Sequence, residues 1–445
     1  MNFTLKEIAN ICGGELYCAE DGKLAVTSLF SDSRKSIPGG LFLALRGEKT
    51  DGNKYIKQVV SAGACALCDN RGFFCERCVL VPDVRSALQI LARHYRMHEL
   101  AKIPFVGVTG SVGKTTTKDM IAAALGSSLK VHKTQGNANS QIGLPSTVLD
   151  CDKDSAQAAV VELGMSYKGE MERISRAAMP DICVITNIGS SHIENLGTRE
   201  AIRDEKLKIA MFSKPGSALL LNGDEPLLRG IDPGDKKVYY VSFKDTSADC
   251  FASGVTLAQE GTNFTAHIFG GEYPVTISQP GAHLVQNALF ALAAAKLLGL
   301  PLEPAAKALG EYKSDGKRQF IYDSEGHTVI SDCYNAAPES VRAALSVLAT
   351  RKGRKIAVLG DMLELGENSP ELHRALSKEI ENTADALITY GELAKNYAAD
   401  FTKETHSFSS GDPETLKAFL RGFIRPGDTV LYKASNGIKL FDCIV

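Results

Sequence analysis

The chain has 445 residues, 44% hydrophobic and 23% charged, which at ~150 residues per domain predicts about three globular domains. Its 50 basic and 52 acidic side chains give a formal net charge of −2 with no long run of one sign, which excludes a general nucleic-acid binder. The longest apolar stretch, Ala288–Leu300, contains Lys296 and is too short to span a bilayer. The start, Met1-Asn2-Phe3 with acidic Glu7, lacks the basic and apolar regions of a signal peptide, so the expectation is a soluble, cytoplasmic chain with no membrane partner.

In chain order, the first ~100 residues mix short strand-like runs such as Leu41–Leu45 with Gly-rich turns, and Val84–Leu100 reads as a helix ended by Lys102-Ile103-Pro104. Phe105–Val108 is then a short buried strand, followed by a Gly-rich turn and a helix over Lys114–Leu125. Strands at Ala158–Val161, Ile182–Ile185 and Ala218–Leu221, with a helix at Lys168–Ala178, give the alternation of βαβ units and a parallel sheet. A long apolar helix, Ala282–Leu298, closes that series. After the polar segment Lys313–Lys317 a second βα series begins, with strands at Thr328–Ile330, Ile356–Leu359, Ala386–Ile388 and Thr429–Leu431. Helices are predicted between them at Pro338–Ala349, Leu372–Ile380 and Pro413–Phe419. The division expected is 1–102, 103–313 and 314–445, the last two α/β.

Eleven cysteines, an odd number, fit a reducing compartment better than a disulfide framework. Cys65, Cys68, Cys75 and Cys78 form a doubled CxxC that could hold zinc, but only six residues separate the pairs, against ~12–20 in the usual zinc modules. The favoured reading makes Cys65 and Cys68 small apolar residues of a helix or strand edge.

The stretch richest in chemistry is Thr109-Gly110-Ser111-Val112-Gly113-Lys114-Thr115-Thr116. A strand ends, glycines let backbone N–H groups point inward, and a helix starts, so donors, helix dipole and ammonium converge on polyphosphate. Lys114 would reach the β- and γ-phosphates and the Thr115 hydroxyl would hold Mg²⁺, making ATP and Mg²⁺ the expected cofactors. Val108 stands where the usual pattern has its first glycine.

This turn resembles that of the Mur ligase family, which builds the peptide of peptidoglycan. Further matches follow in family order: Gly136–Pro145 is similar to its Asn-rich loop, with Asn137 and Asn139 as substrate contacts, and Glu162-Leu163-Gly164, Thr186–Gly189 and His192 come next. Asp332–Pro338 and Leu359–Gly366 resemble signatures of the member that adds D-alanyl-D-alanine to UDP-N-acetylmuramoyl-tripeptide. Asp32-Ser33-Arg34 and Gly47…Asn53 look like its UDP-sugar region, with Ser33 and Arg34 as contacts. The resemblance implies a three-domain α/β architecture, with a central P-loop ATPase domain and a C-terminal Rossmann-like domain, and a monomer whose partners are those two substrates. The absence of an Asp-Asn-Pro-Arg tetrad disfavours the ligase adding diaminopimelate. A folylpolyglutamate synthetase-like ligase and a non-catalytic nucleotide-binding module are the alternatives.

The resemblance also implies roles. Glu162 becomes a Mg²⁺ ligand beside Thr115, His192 serves a second Mg²⁺, and Lys206 occupies the place of a carbamylated lysine, with Lys208 nearby. His283 and Asn287 would frame adenine, while Arg318 and Asp332 would reach ATP phosphate and ribose from across the domain boundary. Tyr334, Asn335, Ser435 and Asn436 are candidates for the peptide or dipeptide pocket. Ala337 and Asn436 depart from the family, which usually has Asn and Arg there.

Overall fold

A computed structural model describes residues 1–48, 50–313 and 318–445. The expected boundary at 313/314 and most of the polar segment before the second βα series lie outside the described residues. Among those described, the strands form one two-stranded sheet and three larger sheets in chain order.

The first larger sheet has five strands, of which only the Glu15–Leu16 and Cys78–Leu80 pair is antiparallel. Its inner strand is Cys65–Cys68, so the two cysteines sit in the middle of the sheet rather than at an edge. Side chains three apart on a strand face opposite ways. Accordingly Cys65 joins the core with Leu41 and Leu67, whereas Cys68 joins the one with Phe42 and Cys78. Cys75 and Cys78 face each other at 3.7 Å, and burial pushes the Cys75 thiol up to about 12. No cluster of His, Cys, Asp or Glu among the described residues is arranged to hold a metal ion.

Nine strands build the central sheet, in which Val131–Lys133, Ala158–Glu162, Phe105–Thr109, Ile182–Ile185, Ala218–Asn222, Lys237–Ser242 and Cys250–Ala258 run parallel as neighbours. Parallel strands covered on both faces read as continuous apolar runs. Here alternation sends Phe105, Val161 and Ile185 into one core and Val106, Val160 and Val184 into the other. The second core surrounds Ala282–Leu297, buried almost all round as its sequence predicts. That helix does not close the region, since Leu302–Gly310 follows. The sheet is also not purely parallel: Cys250–Ala258, Gly261–Ile268 and Gly271–Ile277 form an antiparallel meander, bulged between Ser253 and Thr256 where Gly254 has φ 62°. Val84–His98 packs into the first core together with central helices, and buried Arg96 binds the Ala178 carbonyl and the Asp181 carboxylate.

The last sheet has six strands, ordered Phe320–Ser324, His327–Asp332, Thr429–Lys433, Lys355–Gly360, Ala386–Tyr390 and Glu404–Phe408, with only the first pair antiparallel. The helix expected at Leu372–Ile380 is instead two, Ser369–Arg374 and Ser377–Thr383. His373 is buried at the end of the first; its Nδ1 meets the Ser369 carbonyl and its Nε2 accepts from the Met362 N–H. Among the described residues no helix is long and apolar enough to cross a membrane.

Candidate active site

The turn after Phe105–Thr109 is held from outside itself. The Asn187 side-chain oxygen accepts from the backbone N–H of Ser111 (3.1 Å) and Val112 (2.9 Å), and the Thr186 hydroxyl donates to the Val112 carbonyl at 2.6 Å. Gly110 is required here: at φ 150° an added Cβ would lie 1.9 Å from the Thr186 hydroxyl oxygen. Gly113, at φ 85°, caps the helix Lys114–Gly126, whose first N–H groups face the turn. Lys114 folds back so that its Nζ donates to the Gly110 and Ser111 carbonyls. Burial lowers the Lys114 pKa and Arg318 adds to the effect, against the opposing pull of Glu162.

Glu162 ends its strand with 1% of its surface exposed. One carboxylate oxygen accepts from the Thr115 hydroxyl at 2.8 Å, the other from the Asn139 amide at 2.6 Å, and the Glu162 N–H donates to the Thr134 hydroxyl. A hydroxyl and a carboxylate oxygen side by side at the phosphate turn are the hard donors that suit Mg²⁺. Gly164 makes the Asn139 contact possible, because a Cβ there would lie 2.8 Å from the amide carbon. Lys206 is not an exposed helical lysine: it is 1% exposed, and burial followed by the nearness of Lys114 holds its pKa well below the ordinary value. Lys208, by contrast, pairs with Glu205 at 2.7 Å.

A cavity of about 920 Å³ opens over this turn and takes residues from both α/β sheets. From the central sheet it is lined by Ser111 to Lys114, Thr116, Asn139, Glu162, His192, His283 and Asn287, and from the last sheet by Arg318, Asp332, Tyr334 and Asn335. Asn287 fixes its amide by accepting from the Thr117 hydroxyl. Burial lowers the His283 pKa against the pull of Asp332, and among the described residues no hydrogen-bond partner reaches its buried Nδ1. Arg318 stacks over the Tyr334 ring, 4.0 Å from its centroid. Asp332 pairs with buried Lys433 at 2.8 Å, and Lys433 also donates to the Asn335 carbonyl.

His192, at φ 63°, turns its Nδ1 onto the Glu364 carboxylate at 2.5 Å, a contact between the two α/β sheets. With Nδ1 set against that carboxylate, Nε2 is the His192 nitrogen left for a metal. The His192 side chain pulls the Glu364 pKa down.

Other expected residues lie apart from the cavity. Ser33 and Arg34 sit in a short turn of the first sheet, where Arg34 pairs with Asp32 at 2.8 Å and leaves its side chain 86% exposed. Asn137 is exposed outside the lining, whereas Asn139 is at its centre. Ser435 accepts from the Leu363 N–H and packs beside Asn335, and Asn436 is exposed at the start of a short turn. Residues that motif reading had not singled out include Asn187, Thr134, Lys433, Glu364 and Glu339. Asn187 stands inside a quoted motif, but nothing local marks it or Lys433 as a hub, because their partners lie about 75 and 100 positions away.

Comparison with known proteins bears on this constellation. Residues 108–295 match the Mur ligase middle domain and residues 317–436 the Mur ligase, glutamate ligase domain. The chain belongs to the Mur ligase family. It is 38% identical to the UDP-N-acetylmuramoyl-tripeptide–D-alanyl-D-alanine ligase of Bacillus subtilis, over 99% of this chain and 97% of the relative. Among solved Mur ligases it is similar to MurF of Acinetobacter baumannii, with a TM-score of 0.90, 28% identity and coverage of 100% and 98% of the two chains. MurF of Thermotoga maritima, solved in complex with ADP, gives a TM-score of 0.84 at 28% identity, over 94% of this chain and 96% of that one.

Proposed function

We infer that the protein is an ATP-dependent ligase that joins D-alanyl-D-alanine to UDP-N-acetylmuramoyl-tripeptide, releasing ADP and phosphate, in peptidoglycan synthesis. The observation that carries this reading is the single cavity in which Lys114 and Glu162 of one sheet meet Arg318, Asp332 and Asn335 of another. Full-length relatives bearing that activity in their names support it.

A carboxylate resists attack by an amine until phosphorylation turns it into an acyl phosphate. The peptide carboxylate oxygen attacks the γ-phosphorus and the bond to ADP breaks; the dipeptide ammonium gives up one proton to solvent, and the resulting amine attacks the acyl carbon, its second proton leaving with the departing phosphate. Moving a phosphoryl group between anions demands positive charge and alignment. Lys114 and the N–H groups of 111–115 would hold the triphosphate, Thr115 and Glu162 would hold Mg²⁺, and His192 through Nε2 would serve a second ion. The metal supplies charge neutralisation at the phosphates. Asn139 orients Glu162, and His283 and Asn287 are assigned to adenine, Asp332 to ribose and Arg318 to phosphate. The lowered pKa of Lys206 favours the neutral amine, the form that adds carbon dioxide to become a carbamate, and that anion would offset the neighbouring Lys114. Ser33, Arg34 and Asn137 are assigned to the UDP-sugar substrate, and Tyr334, Asn335, Ser435 and Asn436 to the peptide side. Residues 1–102, 103–313 and 314–445 are taken as the three domains of a monomer that works in the cytoplasm. Closure of two domains on one cavity excludes water from the acyl phosphate.

The test is phosphate release with a panel of acceptors. Turnover is expected only with ATP, the UDP-tripeptide and D-alanyl-D-alanine together, and equal turnover with a single free amino acid in place of the dipeptide would reject the reading.

A further inference from the structure

Resting on that function, we propose that Glu339 and Ser191 form the subsite that receives the ammonium group of the incoming dipeptide. Glu339 is the second residue of the helix Pro338–Ala349, and its carboxylate lies against the loop that leads to His192. A Cβ at Gly189 would lie 2.8 Å from the Glu339 carboxyl carbon, so the carboxylate rests directly against the backbone of that loop. The Gly189 N–H in turn donates to the Ser111 hydroxyl of the phosphate turn at 2.8 Å. Glu339 therefore stands one short link from the place where the acyl phosphate forms.

Two atoms of the cavity lining, Glu339 Oε2 and Ser191 Oγ, are buried and have no hydrogen-bond partner among the described residues. A buried carboxylate oxygen and hydroxyl left without a protein partner suit a donor that arrives from the cavity. The donor must be cationic, because a carboxylate beside bound triphosphate otherwise adds repulsion. A dipeptide presents an ammonium at its N-terminus, and the same nitrogen must reach the acyl carbon. Glu339 acts as a substrate-binding group, seating that nitrogen on the phosphate-turn side of the cavity.

The experiment compares Glu339→Gln with the wild type, using D-alanyl-D-alanine as substrate and D-lactyl-D-alanine, which has a hydroxyl in place of the ammonium, as a competitive inhibitor. The KM for D-alanyl-D-alanine should rise about 10- to 100-fold, as expected for loss of a charge-assisted hydrogen bond, while the inhibition constant of the neutral analogue and the affinity for ATP-Mg²⁺ alone stay unchanged. Unchanged KM, equal shifts for substrate and analogue, or a change confined to the Mg²⁺ requirement would each overturn the proposal. Unaltered ATP affinity also reports that the variant is folded. Ser191→Ala provides a second arm, in which a KM rise of a few-fold is expected and no change counts against the subsite. If the wild type fails to use the dipeptide at all, the functional reading falls instead, which separates the two failures.

Discussion

At the phosphate turn each group is held from several directions: Asn187 fixes two N–H groups, Thr186 a carbonyl, and Glu162 is clamped between Thr115 and Asn139. At the turn around Ser33, Asp32 alone caps the Arg34 N–H and pairs with its guanidinium, and the pair faces solvent. The first arrangement must present charge at fixed positions to a reacting phosphate, where misplacement is expensive. The second, in the proposed function, need only meet a substrate's remote end, where a side chain can be ordered at the moment of binding. Rigidity thus follows the chemistry.

Breaking the rigid region should have the largest consequence. Lys114→Ala is expected to lower kcat by about 10²- to 10³-fold, as loss of a preorganised electrostatic group does, in a steady-state phosphate assay. Gly110→Ala pushes a methyl into Thr186 and should destabilise the fold by about 2 to 3 kcal/mol in denaturant titration. Asn187→Ala removes the side-chain acceptor of two turn N–H groups, leaving Ser111 only the Asn187 backbone carbonyl and Val112 none, so ADP affinity should fall about tenfold by calorimetry, corresponding to roughly 1.4 kcal/mol.

Titration sharpens the same contrast. A lysine whose pKa is lowered in the folded state binds fewer protons than in the unfolded chain, so stability rises as pH climbs from its lowered value towards 10.5. In bicarbonate-free buffer the wild type should gain stability over that window, with a slope of at most about 1.4 kcal/mol per pH unit from Lys206, and Lys206→Met should lack this part. Parallel curves for the two proteins would remove Lys206 from the account. The smallest effect belongs to the exposed turn: Arg34→Ala should leave the unfolding midpoint and kcat unchanged and raise only the KM for the UDP-tripeptide.

The difference between these regions also explains what could be read from sequence. Parallel strands such as Ala158–Glu162 announce themselves as unbroken apolar runs, and the phosphate turn is contiguous, so both were legible without neighbours. The meander at 250–277 was missed because its strands carry mixed exposed and buried residues, and its register shifts at a bulge. Leu372–Ile380 kept helical spacing through a break at 375–376, where the Leu376 N–H turns to the His373 carbonyl, a change of hydrogen bonding that apolar spacing does not register. Lys206 could be told from Lys208 only by burial. Glu339, Glu364 and Lys433 matter through contacts between distant segments, which no local spacing encodes.

The account's central claim is that the tripeptide carboxylate is activated by phosphoryl transfer at this turn. A substrate carrying ¹⁸O in that carboxylate tests it directly by mass spectrometry of the released phosphate. Transfer of one labelled oxygen into each phosphate is the predicted result, and unlabelled phosphate released alongside ligated product would contradict it.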